Sequence, residues 1–370
     1  MSGRLKLRRG VVVGEDPLTV EVDGERRAAW ADTALLGEMR EGDEVVVNVE
    51  ALDLGLGSGG FDVVHVNLTR GLEASGASRE HVMKLNYTSL QHAVDPAELP
   101  VRFMDPTGSK GAPEGGGATM PVLVLPLHGH LAPAAWAAAQ TAPELKVGFV
   151  QTGGGALPGS LSRDVAELRG RELLCGHVTA APAYGGEDEA ISVAGALDAA
   201  AQSLGWDAAI AGPGPGIIGS DTRLGHGGIA ALDTAHASLA LGLPTLLSPR
   251  LSSADPRERH RPVSHHTLTV LQMLLAPVEI PVPAGDPIPI AILATAAGWR
   301  HRLREAPINL SGYEEAGLPA RTMGRTIAED PLFFAAALAS GQALADSTAG
   351  GTGEGGRGRA VARPQRPPPP

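Results

Sequence analysis

From residue 122 onward the chain repeats one unit: a short run of Val, Leu, Ile or Ala, then a loop, then a stretch with helical spacing. Few folds accept that rhythm. When a helix separates each strand from the next, the strands lie parallel, so the pattern predicts an α/β domain with a doubly wound, Rossmann-like, mostly parallel sheet. Residues 122–127, 146–151, 173–179, 208–211 and 245–248 read as strands. Helical patterns follow them at 134–140, 160–169, 188–203, 228–241 and 264–275, and 278–282 and 288–295 read as further strands. The core must be largely aliphatic, because the chain has only four Trp, three Tyr and five Phe.

The first 70 residues follow a different pattern. Residues 11–13, 18–22, 44–49 and 61–67 are β-rich, with Asp23-Gly24, Gly42-Asp43 and a Gly-rich turn at 57–60 between them. A small N-terminal antiparallel β-barrel over 1–70 is the expectation. The α/β domain then spans 71–345, entered through a strand within 81–94 and interrupted by a flexible loop at 105–120 that holds 2 Pro and 5 Gly. After residue 296 the chain turns helical and mixed, closing with an apolar helix at 331–345. Residues 346–370, Gly-rich and then Pro-rich, read as a disordered tail.

Composition narrows the function. Thirty basic against 41 acidic side chains give a net charge of −11, so the chain lacks the basic footprint of a nucleic-acid binder. Cys175 is the only cysteine, which excludes an internal disulfide framework, and its setting in Leu173-Leu174-Cys175-Gly176 reads as a buried strand. The N-terminal MSGRLKLRRG has no apolar run behind its charges, so no signal peptide is expected. The longest apolar stretch, 120–139, contains Pro121, Pro126 and Pro133 and is not a spanning helix, so no membrane partner is expected and the chain reads as cytoplasmic. Its 49 glycines and 30 prolines imply either disorder or loops of unusual backbone.

In open α/β sheets, ligands bind beyond the carboxyl ends of the strands, so the post-strand loops are where chemistry belongs. Here the first loop carries His128-Gly129-His130 and the second Gly153-Gly154-Gly155 within 152–160. The third begins at His177; the fourth, 212–228, holds Gly214, Gly216, Gly219, Ser220, Asp221, Arg223 and His226. The fifth ends in Ser264-His265-His266-Thr267. Six of the 12 histidines fall in or beside these loops. His130, His226, His265 and His266 also sit at predicted helix N-termini, where the macrodipole disfavours the imidazolium and leaves the metal-binding or proton-accepting form. One expectation is a divalent metal on His128, His130 and His226, with Asp221 or one of His265 and His266 completing the set. Against it, no short ligand spacing such as HExxH is present, and histidines that hydrogen-bond loop backbones explain the pattern without a metal.

The same loops suit an anion. Gly214, Gly216 and Gly219 match GxGxxG after a strand, but the helix begins about ten residues too late for a dinucleotide. The 153–159 loop is better placed but lacks a ribose-binding acid, so NAD is not expected. Without a GK[ST] ending, neither loop is a P-loop. A phosphate or carboxylate cradled by backbone N–H groups at two helix starts remains, with Arg223 as its charged partner. Ser220 lacks the GxSxG elbow of a serine hydrolase. Lys84 is one of four lysines beside 26 arginines, so an amine role competes with an ordinary surface charge.

Several stretches carry a family resemblance. MKLNYTSLQ at 83–91, LHGH at 127–130, GPGPGIIGSDTRLGHGG at 212–228, SHHTLT at 264–269, TMGR at 322–325 and DPLFF at 330–334 together resemble the bacterial family catalogued as domain of unknown function 3866. The resemblance runs from about residue 4 to 345 and implies one continuous module, barrel plus α/β domain, without implying a substrate. The expected function is binding of a small anionic metabolite; if the chain is an enzyme, hydrolysis or group transfer fits best, with His128 or His226 as base or metal ligand and Asp221 orienting it. A non-catalytic ligand sensor or assembly protein is the alternative.

Overall fold

The computed structural model describes residues 3–56, 59–73, 76, 82–98, 120–285 and 287–349. Two compact units are present, Met1–His81 and Val82–Pro370. The expected flexible loop, apart from Met120, lies outside the described residues, as do residues 350–370 of the expected tail.

In the first unit, β1 (Leu7–Glu15), β2 (Leu18–Val22), β3 (Glu25–Trp30), β4 (Glu44–Asn48) and β5 (Asp62–Asn67) close a barrel in the order β1-β2-β3-β5-β4. Short helices α1 (Thr33–Leu36) and α2 (Glu50–Asp53) bridge the strands. Alternation sends Val12, Val20, Val22, Val45, Val47 and Val64 inward. The β3–β5 pair is parallel, and the other pairs are antiparallel. Strand β3, ERRAAW, was not among the expected strands because its first half is polar.

The second unit opens with an antiparallel hairpin, β6 (Val82–Lys84) and β7 (His92–Val94). There follow β8 (Val122–Val124), α3 (Leu131–Thr141), β9 (Val147–Thr152), α4 (Arg163–Gly170), β10 (His177–Ala180), β11 (Asp188–Ala190) and α5 (Val193–Gln202). Next come β12 (Ala208–Pro213), α6 (Ala230–Ala240), β13 (Thr245–Leu247), α7 (His265–Met273), β14 (Glu279–Pro283), α8 (Pro287–Ala297) and β15 (Arg302–Ala306). The chain ends with α9 (Leu310–Glu315), the two-residue strands β16 (Arg321–Thr322) and β17 (Arg325–Thr326), and α10 (Pro331–Ala349). Eight strands form one parallel sheet in the order β11-β10-β9-β12-β8-β13-β14-β15.

Strand periodicity divides the core. Val122, Val124, Ala209 and Ala211 face α5, α6, α7 and α8, whereas Leu123, Ala208 and Ile210 face α3, α4 and α10. Among the described residues no helix is long and apolar enough to cross a membrane.

Some expected elements are corrected. Residues 288–295 are helical, within α8, whose buried residues Pro289, Leu293 and Ala297 fall at a spacing of four. An apolar run carries no period that separates helix from strand. The eighth strand is instead β15, RLREA, whose charges disguised it. The segment expected as helix from 188 begins as β11, and α5 starts after Ser192, whose Oγ accepts from the Gly195 N–H at 2.9 Å. Cys175 is exposed, just ahead of β10. Helix α10 runs through Ala349, so the first residues assigned to the tail are helical.

With so few aromatics, helices approach closely through small residues. At Gly341 of α10 a Cβ would lie 2.0 Å from the carbonyl oxygen of Ala134 in α3, and that neighbour is backbone. Alanine gains about 1 kcal/mol of helix propensity over glycine, but overpacking against an unyielding wall costs roughly 1–3 kcal/mol and wins. Gly341→Ala should therefore lower stability by about 1–2 kcal/mol in chemical denaturation; a stabilised variant would show that the two helices are not in this contact.

Candidate functional site

Topology makes the crevice. The segments leaving β8 and β9 turn to the face of α3 and α4, while those leaving β12 and β13 turn to the face of α6 and α7, and β12 lies between β9 and β8. Neighbouring strands whose continuations part to opposite faces leave a cleft at their carboxyl ends. His130 is the residue before α3, His226 the one before the short turn at Gly227–Ile229 that leads into α6, and His265 opens α7.

The two Gly-rich loops lie against each other. A Cβ at Gly155 would sit 2.1 Å from the Gly214 oxygen, and one at Gly227 only 1.7 Å from the Gly154 oxygen. The Ala156 N–H donates to the Pro215 carbonyl at 2.7 Å, fixing this backbone-on-backbone contact. Glycine is required there by loop packing alone. Beyond Gly216, which turns at φ 71°, the fourth loop folds back as a hairpin. Gly219 bridges His226, and the Gly227 N–H donates to Ile218 at 2.7 Å. Gly154 and residues 218–220 and 225–227 line a recess of about 430 Å³. Gly153 packs on Pro182. At the hairpin tip, Ser220 Oγ donates to the Gly225 carbonyl, and exposed Asp221 pairs with Arg259 at 2.6 Å. The Arg223 guanidinium donates to Gln272 Oε1 at 3.3 Å; among the described residues no carboxylate pairs with it.

Three histidines converge on the inner wall. Ligating atoms of His226, His265 and His266 all lie within 4.8 Å of one another. The rings of His226 and His266 stack at 3.6 Å and 5°, and His265 stands edge-on to His266 at 4.4 Å. His226 Nε2 lies 3.0 Å from the Arg223 carbonyl, which can only accept, so Nε2 carries the proton and Nδ1 the lone pair. That Nδ1 is buried and has no hydrogen-bond partner among the described residues. Burial lowers the pKa of His226 and His265 and, with the cost of placing a further positive charge beside His226 and Arg250, pushes His266 down to about 2. These imidazoles are neutral at physiological pH.

Behind them lies a buried ionic network. Arg250 donates to His266 Nδ1 at 3.3 Å and to Asp255 Oδ2 at 3.2 Å. Burial works to raise the Asp255 carboxyl, but Arg257, donating from side chain and backbone, holds it well below the usual range. Arg325 reaches both Asp255, at 3.8 Å, and Asp330, at 3.0 Å; Asp330 also accepts from Ser252 and Ser253. His260, held by Ser264 Oγ at 2.7 Å, stands edge-on to His266 and is pushed down to about 3, mainly by burial. Sequence reasoning missed Arg250, Asp255, His260, Arg325 and Asp330. Only the charge density of 255–261 and the TMGR and DPLFF stretches hinted at them.

The other sequence-derived candidates are engaged elsewhere. His128 Nδ1 donates to the Pro213 carbonyl at 3.1 Å, and its Nε2 accepts from Ser162 Oγ at 2.7 Å, the serine that also caps α4. His130 Nδ1 lies 2.9 Å from Ser248 Oγ, and its ring stands edge-on to Phe333 at 4.7 Å. Neither belongs to the converging group. Lys84 is buried, donating to the Thr179 and Ala183 carbonyls and paired with Glu189 at 2.8 Å, so its amine ties β6 to the end of β10.

Fold and cleft together define a doubly wound α/β protein, with a β-barrel unit ahead of it and a histidine-walled crevice at its strand ends. The chain belongs to the family described as protein of unknown function DUF3866, whose model matches residues 28–341. No curated protein and no solved structure matches the chain.

Two structural histidines give a pH signature. Burial pushes His130 down to about 3 and His177 to about 4, whereas an unfolded imidazole titrates near 6.5. Unfolding therefore takes up protons below pH about 6.5, and the stability present above that value is lost as pH falls toward about 4 for His177 and about 3 for His130. Near pH 5 the pair contributes about two protons, roughly 3 kcal/mol per pH unit. His177→Gln should remove about one proton from the slope of unfolding free energy against pH; an unchanged slope would mean that this ring is not held neutral.

Proposed function

We propose that this protein binds a small phosphate- or carboxylate-bearing molecule in the strand-end crevice and carries out hydrolysis or group transfer on it. The observation that carries the reading is electrostatic. In a chain of net charge −11, guanidinium groups outnumber carboxylates around the cleft: Arg250 and Arg257 share Asp255, Arg259 pairs with Asp221, and Arg223 has no carboxylate pairing with it among the described residues. Such a concentration of positive charge attracts and orients an anion. Helices α6 and α7 begin at the same end, adding the positive ends of their dipoles. Neutral imidazoles of His226 and His265 beside the recess supply proton acceptors.

Thermal-shift and calorimetric panels of inorganic phosphate, phosphate monoesters and small carboxylates, run with a chelator present, test this. Anions of this class should raise the melting temperature, and the gain should shrink with ionic strength. Losing one charge-assisted hydrogen bond costs about 1.5–3 kcal/mol, so Arg223→Gln should weaken binding roughly 10–100-fold. No binding by any of these anions, or binding equally tight in Arg223→Gln and at high salt, contradicts the proposal.

A further inference from the structure

We infer that His226, His265 and His266 bind one divalent first-row transition ion, with zinc as the natural probe, at the inner wall of the crevice. Three observations carry it. The ligating nitrogens already lie within 4.8 Å of one another, and an ion bound at about 2.0–2.1 Å draws them closer while the stacked His226 and His266 rings swing apart so that both in-plane lone pairs meet it. Second, His226 Nδ1 offers a buried lone pair that no described donor meets, on a residue only 5% exposed. A buried acceptor left unpaired is costly, and a metal ion relieves that cost. Third, the wall is cut to leave these nitrogens uncovered. A Cβ at Gly228 would stand 3.0 Å from His266 Nδ1 and 3.2 Å from His226 Nδ1, so the absence of a side chain there keeps both nitrogens clear.

The donor chemistry selects the ion. Three neutral imidazoles suit zinc, cobalt, nickel or copper and do not suit the oxygen-seeking magnesium or calcium. Three protein ligands leave a coordination position open, as in catalytic zinc sites, and one of the three, His226, also lines the recess. Arg250, 3.3 Å from His266 Nδ1, is at the long end of hydrogen bonding and yields that nitrogen to the ion, keeping its pair with Asp255. The ion adds to the positive charge already there, which favours an anion at the open position. This goes beyond the anion-binding reading and stands without it.

The test is a zinc titration of the chelator-treated full chain by calorimetry, in a buffer free of phosphate and carboxylates. One zinc per chain should bind. His265→Gln, which removes a half-buried ligand, and Gly228→Ala, which removes none and sets a methyl against the Nδ1 atoms of His226 and His266, should each weaken binding by at least the about 10–100-fold that loss of an outer-shell partner costs. His236→Gln, on the far part of α6, should leave it unchanged. Melting of each metal-free variant confirms that it folds. Absence of saturable zinc binding, or affinity unchanged in both His265→Gln and Gly228→Ala, overturns the assignment. Because the anion panel runs with chelator and the zinc titration runs without anion, each proposal can fail alone.

Discussion

The site depends on one buried carboxylate, Asp255, which has no exposure and is surrounded by Arg250, Arg257 and Arg325. A carboxylate removed from water is tolerable only when its charge and lone pairs are met. Here the guanidinium groups meet them with charge to spare, because Asp330 is the only other buried acid in the network. The surplus falls on Arg250, whose other edge faces His266. A guanidinium donating to an imidazole nitrogen fixes that nitrogen as an acceptor and opposes protonation of the ring. The ionic network thus reinforces burial in keeping these imidazoles neutral before any ligand arrives.

Sheet order explains why such a network lies where a ligand can use it. Inserting β12 between β9 and β8 sets strands with opposite exits side by side, and the loops that leave them must then cross over one another. Those crossings are the backbone contacts of Gly154 and Gly155 with Gly227 and Gly214. The same geometry that demands glycine in the loops brings the hairpin carrying His226 against the start of α7. Packing and chemistry therefore share their cause.

Much of this was legible in the sequence, and the parts that were not have a common explanation. Buried parallel strands such as AAIAGP and VGFVQT announce themselves as apolar runs, and His226, His265 and His266 could be marked because they follow such strands. Periodicity failed where side-chain polarity does not track burial: β15 and β3 carry too many charges, and α8 is apolar on every side although only Pro289, Leu293 and Ala297 are buried. Glycine-rich loops were read as anion cradles, yet close loop packing accounts for Gly155 and Gly227 without a ligand. Lys84, for which an amine role competed with an ordinary surface charge, is a buried, paired side chain. The Asp255–Arg325 and Ser252–Asp330 contacts join residues about 70–80 positions apart and leave no local signature.

The central claim is that the crevice presents neutral imidazoles, with His226 protonated on Nε2 and bare on Nδ1. Nitrogen-15 NMR of the imidazole rings in the metal-free full chain at neutral pH reads this directly. The account predicts neutral rings for His226 and His266, with the His226 proton on Nε2. An imidazolium at either residue, or a proton on His226 Nδ1, would contradict it.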